Sequence, residues 1–145
     1  MILPYILFLF YLIALIASCV YAIRRGGPSE KYGATIMLVG SFLTAAAGLF
    51  ASGWHHTEGG VLLVDLSVLA AFLTLALTSD KYWPLWTTAF QIIGVATHLA
   101  RFVDPAIIPR AYSIAQGFWA YPMLAALVIG AKMERPAMRI SAARY

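Results

Sequence analysis

Charge is absent from the first 23 residues of this chain and is rationed thereafter. A run of that length, rising about 1.5 Å per residue as a helix, matches the roughly 30 Å hydrocarbon thickness of a bilayer. It closes at Arg24-Arg25-Gly26-Gly27-Pro28, cationic and helix-breaking, which predicts a membrane helix over residues 2–23 anchored at a headgroup layer. Ile16-Ala17-Ser18-Cys19 has the look of a lipobox. Yet Met1 to Tyr5 carries no Lys or Arg and the apolar run continues past Cys19 to Ile23, so a retained helix is expected rather than a cleaved signal.

The same punctuation marks further spans. Residues 33–54 are uncharged and end at His55-His56-Thr57-Glu58-Gly59-Gly60, read as a polar turn rich in helix breakers. Residues 60–79 are apolar except for Asp65 and exit through Asp80-Lys81-Tyr82-Trp83-Pro84. Residues 85–103 and 112–131 complete the set, and 132–145 form a basic tail. Pro122 is expected to kink the fifth span by removing a backbone donor. The fold predicted is an all-α membrane protein, a bundle of five transmembrane helices. Composition agrees: 62% of residues are hydrophobic, against roughly 45–50% in a soluble domain. Ten Lys and Arg with six Asp and Glu are too few to coat a soluble body. The single cysteine excludes a disulfide framework and a cysteine-built zinc or iron–sulfur site.

Orientation follows from the cations. Arg24, Arg25, Lys31, Lys81, Lys132, Arg135, Arg139 and Arg144 fall on one side of a five-span chain, and Arg101 and Arg110 on the other. The positive-inside rule then puts the N-terminus outside and the C-terminus in the cytoplasm. Tyr82, Trp83 and Trp86 are expected in an inner aromatic belt and Trp54 in an outer one. The net charge of +4 arises mainly from loop one and the tail, so it anchors topology and does not imply nucleic acid.

Helices in lipid associate through close backbone contact. Gly40, Thr44, Gly48 and Ser52 recur every four residues on one face of span two, either a seam within the chain or a contact with another copy or subunit. Asp65, His98, Arg101 and Gln116 are expected in one polar layer near the outer surface, with Gln91 continuing the His98 face inward. An unpaired charge at the bilayer centre costs about 2.5–3.5 kcal/mol, so Asp65 should pair with His98 or Arg101. Such a layer serves as an interhelical clamp or as a proton relay. His55, His56 and His98 are the candidate ligands for a metal or a b-type haem, with Arg101 for a propionate. Only His98 is expected on a helix, so no metal and no cofactor are predicted. No phosphate loop, nucleophile elbow, HExxH or paired-carboxylate motif is present in the sequence, which gives an enzyme no residues to work with.

The stretches Val64-Asp65-Leu66, Ser79 to Trp86, Phe90-Gln91, Thr97-His98-Leu99-Ala100-Arg101, Asp104-Pro105 and Tyr112 to Gln116 resemble a group of small membrane proteins of sphingomonad-type alphaproteobacteria. The resemblance covers about the C-terminal half, implies a bacterial inner membrane and carries no activity or functional residue. The function expected from the residues is a non-enzymatic membrane subunit that packs against a larger complex or its own copies. A small proton-linked transporter using the polar layer comes second, and a b-type haem electron carrier third.

Overall fold

The computed structural model describes residues 3–50, 54–103 and 117–142. These form five helices: α1 (Leu3–Arg25), α2 (Pro28–Phe50), α3 (Trp54–Thr78), α4 (Trp83–Val103) and α5 (Ala120–Ala142). No strand occurs among the described residues. Among the described residues, three stretches are long and apolar enough to cross a membrane, namely Tyr5–Arg25, Pro28–Leu49 and Gly59–Thr78.

The first turn is built by its glycines. A side chain at Gly26 would meet the Glu30 Cβ at 2.3 Å and the Ala22 carbonyl oxygen at 2.6 Å, so the chain reverses there only because nothing projects. Pro28 occupies the first helical position of α2, where its missing N–H costs nothing. Glu30, two residues on, accepts the Gly27 N–H at 2.9 Å, the carboxylate half of a capping box. Span two therefore begins five residues before the expected Gly33.

Two other expectations need correction. Trp54 to Gly60 is helical rather than a turn, and residues 51–53 between α2 and α3 lie outside the described residues. The physical reason is that the segment has no proline, and two glycines cost only about 1 kcal/mol each. An unpaired backbone in lipid costs several times more. The fifth helix starts at Ala120 and continues to Ala142, through most of the segment expected as a tail. Pro122 stands in the first turn of α5, and the helical residues 117–118 that precede it are separated from α5 by a turn at Trp119, the interruption its missing N–H leads one to expect.

The helices close into a ring in which each touches its sequence neighbours and α1 touches α5. Two-, three- and four-residue connections at 26–27, 51–53 and 79–82 make the first three pairs antiparallel. Trp83 lies against Gly130 and Phe90 against Trp119, so α4 and α5 are antiparallel as well. Tyr11 meets Tyr121, and Gly27 just beyond α1 meets Glu134, so the closing pair is parallel. Small and apolar residues fill the interior, among them Cys19, Ala22, Ala34, Phe72, Leu127 and Ala131. Large apolar side chains such as Phe8, Phe42, Leu49 and Leu77 face outward, the arrangement lipid favours and water does not. Lone hydroxyls at Thr35, Ser67, Thr74, Thr78 and Thr97 donate to the carbonyl four residues back and so need no partner on another helix.

Candidate functional site

Two buried polar centres lie between the helices. The first joins α3 to α4. Nε2 of His98 lies 2.7 Å from Oδ2 of Asp65, and the imidazole is 1% exposed. The Gln91 amide donates to the Asp65 backbone carbonyl at 3.1 Å and reaches its Oδ1 at 3.5 Å. Of the two partners expected for Asp65, His98 meets it, and the side chain of Arg101 lies outside the described residues. Since α3 starts at Trp54, Asp65 lies eleven residues into its helix, about 16 Å along the axis. His98 is five residues from the end of α4. A second polar contact, Tyr11 Oη to Ser41 Oγ at 2.9 Å, ties α1 to α2.

One face of α4 carries this centre. Trp83, Thr87, Gln91 and His98 are all buried and recur at helical spacing, so they form a stripe that looks into the ring. Thr87 and Thr88 each back-bond to the carbonyl four residues earlier. The stripe spans fifteen residues, about 22 Å.

The second centre sits at the other end of the stripe and includes residues the sequence reading did not single out. Glu30 is fully buried. Its Oε1 accepts the Trp83 indole N–H at 2.7 Å, and its Oε2 accepts from Gly27 N at 2.9 Å and Ser29 Oγ at 3.1 Å. Every lone-pair direction that matters is answered, which is what allows a carboxylate to stay buried. Beside it, Lys81 pairs with Glu134, joining the α3–α4 connection to α5. Trp83 is thus no part of the interfacial belt: it is 5% exposed, whereas its neighbours Tyr82 and Trp86 are 80% and 64% exposed. Two glycines make room for it. A Cβ on Gly33 would lie 2.3 Å from the indole, and one on Gly130 would lie 2.4 Å away on α5. Phe72 of α3 closes a third side, edge-on at 6.5 Å between ring centroids.

The remaining candidates divide. Gly40 packs against Val68 inside the chain, with only 2.7 Å available to a Cβ, and Thr44 is half-buried beside it. Gly48 is exposed and meets nothing within 4 Å among the described residues. Ser52 and Gln116 lie outside the described residues. His55 and His56 fall in the first turn of α3 and Arg101 near the end of α4, their side chains outside the described set. Among the described residues, no three His, Cys, Asp or Glu converge as metal ligands do. Compared with known families, with curated proteins and with solved structures, the chain matches none.

Proposed function

We propose that this protein is a non-enzymatic subunit of the bacterial inner membrane, crossing it five times with the N-terminus outside, and that it works by packing against partner subunits or its own copies. The observation that carries the reading is where the buried polar side chains go. Glu30 bonds to Trp83, Gln91 to Asp65 and Tyr11 to Ser41, and His98 meets Asp65, each joining two helices of the chain. The polar layer so described is a clamp that fixes helix register. The orientation is supported by geometry at the Glu30 end, where loop one, the α3–α4 connection and the C-terminal half of α5 come together with most of the cations. What remains for a partner is the half of the α2 small-residue face that the described residues leave uncovered around Gly48. The test is Gly48→Leu, which should abolish co-assembly in native membranes while the chain still inserts. Unchanged co-assembly would count against the reading.

One observation favours a second reading, proton-linked transport. A carboxylate and an imidazole 2.7 Å apart inside a lipid-crossing bundle are the pair that proton exchange requires. Asp65→Asn separates the two: a clamp loses stability, whereas a relay loses proton flux in vesicles with its fold intact.

A further inference from the structure

We propose that Trp83 is a plug that keeps water out of the polar interior of the bundle at its basic end, and that Glu30 is the positioning residue that holds it. The buried polar residues of α4 beyond Trp83, from Thr87 to His98, run for about 16 Å and are a hazard for any chain in an energised membrane, because water reaching them would bring protons with it. The inference therefore goes beyond the packing reading and holds whether Asp65 and His98 clamp or exchange protons.

The geometry at Trp83 is that of a stopper. The indole comes from α4, touches α2 at Gly33, α5 at Gly130 and α3 at Phe72, and so spans the inside of the ring at one level. Both glycines leave space that the ring system takes up completely: a single added carbon on either would come within 2.4 Å of it. A flat side chain held at its six-membered ring by Gly33 and at its five-membered ring by Gly130 still has one freedom, rotation out of the slot. The hydrogen bond from Nε1 to Oε1 of Glu30 removes that freedom, and Glu30 is itself fixed by Gly27 and Ser29. Beyond the plug lie Thr87, Gln91, Asp65 and His98, polar groups that would hold water if it reached them.

The chain contains its own reporter. Cys19 is the sole cysteine, is 1% exposed and reaches the carbonyl of Ala34, the residue next to Gly33. Its thiol belongs to the same buried core cluster as Trp83. In vesicles containing the full chain, a water-soluble charged maleimide should leave Cys19 unmodified, as read by intact mass. Trp83→Ala should raise the alkylation rate by at least about tenfold, since a thiol reacts in proportion to its access to water. Trp83→Phe, which keeps most of the ring, should stay closer to the parent. If Trp83→Ala does not fold, as judged by helical signal and a single elution peak, Glu30→Ala takes its place, because it leaves the ring but frees it. A folded variant of either kind with Cys19 as protected as in the parent overturns the proposal. Proton entry is measured in the same vesicles with an internal pH dye. A leak in Trp83→Ala that disappears when Asp65→Asn is added supports both the seal and the relay reading. Exposed Cys19 without any leak supports the seal and counts against the relay.

Discussion

Replacing Gly130 by alanine adds one carbon at one of the tightest places in the bundle. The new Cβ would stand 2.4 Å from Cδ1 of Trp83, 2.6 Å from Cγ and 2.9 Å from Nε1. Carbon atoms sit comfortably at about 3.5–4.0 Å, so the indole would have to retreat by roughly 1 Å. It has nowhere to go. Gly33 is in contact at the six-membered ring, Phe72 closes the edge, and the Glu30 hydrogen bond holds the nitrogen. Overpacking of a core costs about 1–3 kcal/mol, and the upper end applies where no neighbour gives. Against this, alanine gains about 1 kcal/mol over glycine as a helix former. The net loss is about 2 kcal/mol, which lowers the melting temperature by roughly 4–8 °C for a chain of this size. Thermal unfolding in a mild detergent at fixed scan rate, followed by circular dichroism, measures it. The control is Gly48→Ala, where nothing lies within 4 Å among the described residues and no loss is expected. The decisive comparison is Gly130→Ala in a Trp83→Leu background, where the added carbon should cost at least about 1 kcal/mol less. If Gly130→Ala is as stable as the parent, or costs the same with Trp83 removed, the wedge argument is wrong.

Other substitutions probe the two polar centres. Glu30→Ala leaves the Trp83 N–H and the Gly27 N–H without their acceptor in a buried place and should cost about 2–4 kcal/mol by the same thermal assay. Asp65→Asn should cost about 1–3 kcal/mol by leaving His98 opposite a neutral amide, and a variant of parental stability would refute the clamp. Lys81→Met should change stability by no more than about 1 kcal/mol, because the lysine of that pair is 38% exposed and its partner 15%, and the small effect should shrink further in high salt. Phe72→Ala, at a fully buried position on α3, should cost about 3–5 kcal/mol and loosen the indole, seen as a shift in its emission.

The helices were legible because charge in lipid is so costly that its absence over residues 1–23 or 33–54 says almost everything about them. The Asp65–His98 contact was legible for the same reason, since each needs a partner and the antiparallel arrangement of neighbouring spans offers few. Glu30 was missed because charges near loops were read as boundary marks. Its spacing from Gly27 and Pro28, that of a capping carboxylate, was the available signal. Trp83 reads as an interfacial residue because Tyr82 and Trp86 flank it, and those two are exposed. Only the recurrence of Trp83, Thr87, Gln91 and His98 on one face of α4 distinguishes it, and a large aromatic facing two distant glycines leaves no local trace. The segment from His55 to Gly60 misled through its glycines, whose weak helix propensity counts for little once water is gone.

The central claim is that the protein works by packing, and its most direct test is the mass of the tagged chain extracted in mild detergent from its native membrane. The account predicts a particle heavier than one 15.8 kDa chain plus micelle, with a stoichiometric partner or further copies, reduced to the single chain by Gly48→Leu. A parent protein that runs alone, brings nothing with it and drives proton flux dependent on Asp65 would contradict it.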